Sequence, residues 1–382
     1  MNKKTYDIAA YIWPAYTGAE PRTRIFWPDG IGEWQTVKAA KPAFKGSVWP
    51  RVPLLGYADE ADPSVMERQI DIASAHGVNV FIYDWYWYDR RPFLEQCLND
   101  GFLKAENRDK MKFYLMWANH DATHLWDTRT AHCESAAIWS GKQDFNEFKI
   151  IVRRVIEKYF TQANYYTIEG KPVFSIYEIR NMILGLGGIK KAVKALEYFR
   201  AETVKAGFPG LHLQGILHHD SVLSYKALGE KGEGGCADVV AALGLDSVTH
   251  YQQCVLLRGA KPLDAENGIY DYGDWFEAIK KETARIEREY EVKRKIPYFP
   301  HVSLGWDTNI RFPAAYQCPN VVGNTPAKLK KAFEFAKTYA DTHINQPPLI
   351  TVNSWNEWTE SSYLLPDDLN GYGYLEAVKD VF

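Results

Sequence analysis

Eight short apolar runs of strand length, separated by stretches with helical signals, constrain this chain more than any other feature. They span Tyr6–Trp13, Val78–Tyr86, Lys112–Asn119, Pro172–Glu178, His212–His218, Ala237–Leu243, Pro297–Leu304 and Leu349–Asn353. Most are apolar throughout rather than alternating, the pattern of parallel strands covered on both faces. Between them, Asp62-Pro63-Ser64 marks a helix start, with proline at an early helical position and Gly77 at the end. Phe148, Ile151, Val152, Val155 and Ile156 form a 3.6-residue stripe. Ile189–Ala206, Asp274–Tyr290 and Thr325–Thr342 read as further helices. This alternation predicts an α/β fold, a (β/α)8 TIM barrel with elaborated βα loops, before a doubly wound sheet. No linker or low-complexity tract interrupts it, so residues 1–382 read as a single catalytic domain. The sixth strand is the least defined, because Asp246–Tyr251 competes with Ala237–Leu243 for the role.

Barrel enzymes place their chemistry at the C-terminal ends of the strands, which turns the strand order into a set of candidate residues. Strand one ends in Tyr11 and Trp13, strand two in Asp84, Trp85, Tyr86 and Trp87, and strand three in Trp117, Asn119 and His120. Strand four ends at Glu178, strand five at His218-His219-Asp220, and strand seven at Trp306 and Asp307. The last strand is the most informative. Its β-branched run Leu349-Ile350-Thr351-Val352 opens into Asn353-Ser354-Trp355-Asn356-Glu357-Trp358-Thr359-Glu360. Two carboxylates three residues apart, interleaved with tryptophans, suit a sugar site: aromatic faces hold the apolar side of a pyranose and acids move protons. The 13 tryptophans and 24 tyrosines of the chain supply more such surfaces.

The bulk properties exclude several classes. A net charge of −3 gives no electrostatic reason to expect nucleic acid or an anionic membrane as partner. No apolar run is long enough for a transmembrane helix. The five cysteines (97, 133, 236, 254, 318) lack any CxxC spacing, which argues against a disulfide framework or structural zinc. Met1–Thr5 runs into a strand with no room for a signal segment, so the expected location is cytoplasmic as written, and periplasmic or extracellular if a leader has been trimmed.

With these residues assembled, the chain resembles glycoside hydrolase family 99 and its WbsX-like relatives. These include endo-α-mannosidases and proteins of polysaccharide gene clusters, often labelled glycosyltransferases. The resemblance runs through Gly32-Glu33-Trp34, Pro50–Arg68 with Leu55-Gly56-Tyr57, Tyr83–Tyr88, Trp117-Ala118-Asn119 and Gly305-Trp306-Asp307. It continues through Trp355–Glu360, Tyr363, Pro366-Asp367 and Gly373-Tyr374-Leu375-Glu376. It implies that Glu360 is the general acid/base toward the leaving group. It implies that Glu357 deprotonates the sugar 2-hydroxyl, which attacks C1 to give a 1,2-anhydro sugar that water opens with net retention. An axial, manno-configured 2-hydroxyl suits that route best. Glu33, Trp34, Trp355, Asn356, Trp358 and Tyr363 join the substrate-binding candidates. Three positions depart from the family pattern: His120 in place of a glutamate, Ser361 in place of a glycine, and Leu365 in place of an acid.

Competing readings stay open at this level. Glu178 with Asp307 would serve a conventional double displacement. Asp84 and Glu33 would bind hydroxyls or form ion pairs. His120 and His124 around Asp121, with His218-His219-Asp220, suggest a metal only loosely and lack the glutamate base of the zinc-protease pattern. They read instead as satisfied or sugar-binding histidines; no metal or cofactor is expected. The Lys281–Arg294 charge run reads as a solvated helix face, and Gly185–Gly188 as a turn. The expected partner is an oligosaccharide or polysaccharide. A polysaccharide-assembly transferase is the main alternative, although neither a glycine-rich diphosphate cradle nor a metal-binding acid pair is present. A silent glycan-binding barrel is a third.

Overall fold

The structure is a computed structural model that describes residues 5–42, 44, 47–130, 136–218, 222–311 and 319–382. The eight barrel strands are β1 Asp7–Ile12, β2 Val80–Tyr88, β3 Lys112–Trp117, β4 Lys171–Ile176, β5 His212–Leu217, β6 Ser247–His250, β7 His301–Ser303 and β8 Leu349–Asn353. They run parallel in the order β6-β5-β4-β3-β2-β1-β8-β7. Val248 closes the ring, donating from its amide to the Pro297 carbonyl and accepting from the Phe299 amide, each at 2.9 Å. The chain is a nearly closed (β/α)8 barrel.

Helices α1 Pro63–Ala75, α2 Phe145–Val155, α3 Ile179–Leu186, α4 Ile189–Lys205, α5 Cys236–Leu243, α6 Tyr272–Ile286, α7 Pro326–Thr342 and α8 Gly373–Val381 surround it. Their starts follow local chemistry. Asp62 and Asp144 accept from the Ser64 and Glu147 amides, and Pro63 and Pro326 occupy first-turn positions. At α5 the structure corrects the expectation from sequence. Ala237–Leu243 is helical and the sixth strand is Ser247–His250, the alternative weighed above. Cys236, Val239, Val240 and Leu243 are buried at helical spacing, and Gly244 ends the turn with φ +67°, so an eight-residue apolar run resolves as helix.

Side-chain bonds that skip a strand cross the barrel interior. Thr249 on β6 meets Thr351 on β8 at 2.7 Å, and Tyr114 on β3 donates to Gln214 on β5 at 3.2 Å. This polar and aromatic filling is the floor on which the cavity above it rests. Among the described residues no helix is long and apolar enough to cross a membrane.

Candidate active site

Beyond β8 the chain makes a tight hairpin, Asn356–Glu357 against Ser362–Tyr363, closed by a 3-10 turn at Trp358–Glu360. In 3-10 geometry residues three apart eclipse, so Glu357 and Glu360 share one side of the turn. Hydroxyls lock the hairpin: Ser354 Oγ accepts from the Glu357 amide at 2.9 Å and donates to the Ser362 carbonyl at 2.6 Å. Asn356 ties it to β1, accepting from the Trp13 amide at 2.8 Å and donating to the Trp13 carbonyl and to buried Glu60, each at 2.9 Å. Burial pushes the Glu60 carboxyl up to about 7. Ser361 carries φ +55°, a left-handed conformation that favours glycine. Its hydroxyl is anchored by Trp49 Nε1 at 2.6 Å, which compensates locally for that conformation.

Both glutamates face a cavity of about 410 Å³ at the C-terminal ends of the strands. Arg311, buried at the mouth of β7, organises that wall. Its Nη2 donates to Glu357 Oε1 at 2.8 Å, its Nη1 to Glu360 Oε1 at 3.2 Å, and its Nε to Glu33 Oε1 at 3.2 Å. Glu33 is fully buried and also accepts from Trp13 Nε1. Burial pushes both carboxyls up, Glu357 well above the usual carboxylate range with the charge of Glu360 adding to it, and Glu360 to about 7 with Glu33 adding to it, while Arg311 pulls both down. Both oxygens of Glu357 accept from donors, Arg311 on one and Tyr251 on the other at 3.0 Å. Glu360 Oε2 is buried with no hydrogen-bond partner among the described residues. Donors on both Glu357 oxygens and none on Glu360 Oε2 favour the charge on Glu357 and the proton on Glu360, against the stronger upward push of burial on Glu357.

The opposite wall comes from β3, β4 and β5. His120 and His218 line the cavity, and burial lowers the pKa of both, leaving neutral imidazoles. Each has a ring nitrogen on a backbone carbonyl: His120 Nδ1 on Asp121 at 3.0 Å and His218 Nε2 on Tyr177 at 3.0 Å. Glu178 lies beside them, its backbone clamped by Asn119, which accepts from the Glu178 amide at 2.8 Å and donates to its carbonyl at 2.9 Å. Asp84, Tyr86, Trp126, Tyr177 and Tyr251 also line the cavity, with Trp13, Met116 and Ala118.

Of the residues singled out in the sequence, Trp13, Asp84, His120, Glu178, His218, Glu357 and Glu360 thus meet at one cavity. Others stand elsewhere. Trp85 and Trp87 alternate with Asp84 and Tyr86 on β2 and point out of the barrel, donating to Glu95 and Glu147, each at 2.8 Å. Trp117 likewise packs outward on Phe148. The pleat sends successive side chains to opposite faces, so an aromatic strand end contributes only half of its residues. Tyr11 lies deeper in the barrel, donating to the His250 carbonyl at 2.9 Å. Trp34, Trp358 and Leu365 surround a separate small cavity, Trp355 reaches Gln69 at 2.7 Å, and Tyr363 donates to Asp367 at 2.6 Å. Asn119, Asn356 and Glu33 support cavity residues from behind.

Asp307 is buried on its own loop, its Oδ1 taken by the Asn309 amide at 3.0 Å, and Trp306 packs against the core. Neither lines the cavity, so Glu178 and Asp307 do not form a facing pair. His219 and Asp220 lie outside the described residues. The one three-residue cluster spaced for a metal among the described residues is Glu287, Glu291 and His343, remote from those histidines in sequence and outside the cavity.

Arg311, Tyr251 and Trp126 escaped the sequence reading. Arg311 follows Trp306 by five residues with no motif to mark it. Tyr251 ends the strand whose position was mistaken, and a correct sixth strand would have exposed it. Trp126 comes from a loop after β3.

Comparisons place this fold among known proteins. Two solved structures share it: a GH99 endo-alpha-mannosidase from Bacteroides thetaiotaomicron is 13% identical, with a TM-score of 0.55 over 98% of this chain and 95% of that one. A protein described as glycoside hydrolase-like is 12% identical, with a TM-score of 0.60 over 100% and 95%. The protein WxcX of Xanthomonas campestris pv. campestris (strain B100) is 24% identical over 366 residues, covering 94% of this chain and 47% of that protein. The chain thus spans about half the length of the curated relatives it matches. A family model described as "Glycosyltransferase WbsX" matches residues 8–378, and the chain belongs to that family.

Proposed function

We propose that this protein is a retaining glycosidase acting on an α-linked, manno-configured glycan with participation of the sugar 2-hydroxyl. The observation that carries the reading is the division of labour around Arg311. Glu357 has donors on both oxygens and suits a base, whereas Glu360 has a free, buried Oε2 and a carboxyl raised to about 7, as suits an acid.

In the first step Glu357 takes the 2-hydroxyl proton while O2 attacks C1. The bond from C1 to the leaving oxygen breaks, and Glu360 delivers its proton to that oxygen. In the second step Glu360 removes a proton from water, water attacks C1, and the epoxide oxygen recovers its proton from Glu357. Two acids on one hairpin suit this route, because one addresses the 2-hydroxyl and the other the glycosidic oxygen. Direct displacement by an enzyme carboxylate would need a nucleophile across the ring, and the candidate Asp307 does not line the cavity. Aromatic rings of Trp13, Trp126 and Tyr86 would hold the apolar sugar face.

The family description favours a second reading, a glycosyl transferase of polysaccharide assembly. A panel of α-mannans and bacterial polysaccharides, with products read by mass spectrometry, separates the two. Release of oligosaccharides by the parent, and by neither Glu357→Gln nor Glu360→Gln, is the expected result. Silence on the panel followed by turnover once a nucleotide sugar is added would replace the hydrolase with the transferase.

A further inference from the structure

The Tyr251 hydroxyl stands 3.0 Å from Asp84 Oδ2 and 3.0 Å from Glu357 Oε2. A phenol has one proton and gives it to one acceptor at a time. Two ionised carboxylate oxygens at those distances would leave one of them facing a lone pair, in a buried place where unmet charge is costly. One of the two acids must therefore offer the phenol oxygen a proton of its own.

The surroundings decide which. Glu357 holds Arg311 Nη2 at 2.8 Å on its other oxygen, the arrangement of an ionised carboxylate. Asp84 is buried, and among the described residues it has no cation partner and its Oδ1 has no hydrogen-bond partner. The titratable groups that face it are Tyr11 from β1, Tyr86 from β2, Tyr177 beyond β4, Tyr251 beyond β6, and Glu357 and Glu360 beyond β8. Among the described residues Arg311, His120 and His218 line the same cavity, but none of them forms an ion pair or hydrogen bond with Asp84.

We propose that Asp84 is a protonated carboxylic acid that donates from Oδ2 to the Tyr251 oxygen, so that Tyr251 in turn donates to Glu357. Asp84 is then a positioning residue for the base, and the proposal rests on the reading of Glu357 as that base. The chain of two bonds fixes the Tyr251 proton on Glu357 and keeps a second negative charge away from it. Burial pushes the Asp84 carboxyl well up, the Tyr251 hydrogen bond pulls it down and Glu360 adds to the rise; Glu357 is raised in the same direction, so the Arg311 contact is what sets the two acids apart.

The test compares Asp84→Asn with Asp84→Ala. An amide copies the neutral acid, donating to Tyr251 and accepting on its oxygen. Asp84→Asn is expected to leave both limbs of the pH profile in place and to lose less kcat/KM than Asp84→Ala, which loses roughly 10- to 100-fold. An ionised Asp84 predicts otherwise: its removal would take a negative charge from beside Glu357 and Glu360 and move both limbs to lower pH. The parent labelled with 13C at its aspartate carboxyls supplies a measurement that needs neither turnover nor a folded variant. One aspartate resonance should remain at the protonated position at pH 7, and it should vanish in Asp84→Asn when that variant folds. Absence of that resonance in the parent, its survival in folded Asp84→Asn, a shift of both limbs, or equal losses in the two variants would overturn the proposal. A parent that cleaves no glycan sinks the glycosidase reading, and the resonance still decides the state of Asp84.

Discussion

The two walls of the cavity are built differently. On the β8 side, Glu357 and Glu33 have their carboxylate oxygens held by Arg311, Tyr251 or Trp13, and Glu360 leaves only Oε2 unpartnered among the described residues. On the β3–β5 side, His120, His218 and Glu178 are held mainly by their backbones or through one ring nitrogen. The first wall is preorganised: its charges are placed before any ligand arrives. The second keeps donor and acceptor capacity in reserve, which suits recognition of hydroxyls. Under the proposed function, one wall would carry the proton transfers and the other the choice of substrate.

Substitutions on the two walls should therefore differ in kind. The largest effect is expected at Glu357→Gln, which should lower kcat by roughly 10³-fold or more on every substrate, because base strength enters each turnover. Glu360→Gln should abolish cleavage of natural linkages while partly sparing activated leaving groups. Equal losses on both substrate types would break the assignment of the acid. Arg311→Leu should come next, costing about 3–5 kcal/mol in chemical denaturation, since it strands the Glu33, Glu357 and Glu360 carboxylates in a buried site. A cost below about 1 kcal/mol would mean that this wall is not held by its cation.

Glu360 also links stability to pH. Its folded carboxyl is raised to about 7 by burial, above the usual carboxylate value of 4.5. The folded state thus holds a proton that the unfolded chain gives up between those values, so this contribution is full below about pH 4.5 and lost as pH rises through 7. Glu360→Gln, which needs no such proton, should be more stable than the parent at about pH 8 by about 1–3 kcal/mol, with the gain vanishing near about pH 4. Melting curves at the two pH values check it. No gain at the higher pH would argue that Arg311 holds Glu360 ionised.

On the recognition wall, Glu178→Gln should raise KM by roughly tenfold with kcat nearly unchanged and the alkaline limb unmoved. A loss confined to kcat would move Glu178 into the chemistry. The smallest effect is expected at Trp87→Phe, outside the barrel: activity within roughly twofold, and about 1 kcal/mol of stability lost with the bond to Glu147.

Much of this was legible from residues alone. Continuous apolar strands, proline and aspartate at helix starts, and Glu-x-x-Glu after the last strand depend on local periodicity and short-range geometry. Such signals survive in one dimension because the groups that generate them are a few residues apart. The sixth strand failed on the same ground, since an eight-residue apolar run between glycines satisfies helix and strand alike, and only its packing chose the helix. The aromatic tail of β2 failed differently: Trp85 and Trp87 carry the right chemistry on the wrong side of the pleat.

Sequence alone determined the barrel, the strand ends as the place for chemistry, and the two glutamates that stand there. Tertiary structure alone decided which residues face inward, and it brought Arg311 to acids 278, 46 and 49 positions away in the chain. It also brought the Tyr251 hydroxyl between Asp84 and Glu357. The physical reason is that a side chain's charge state in a buried site is set by its neighbours within a few ångströms. Those neighbours are chosen by how the strands close into a ring, not by their order along the chain.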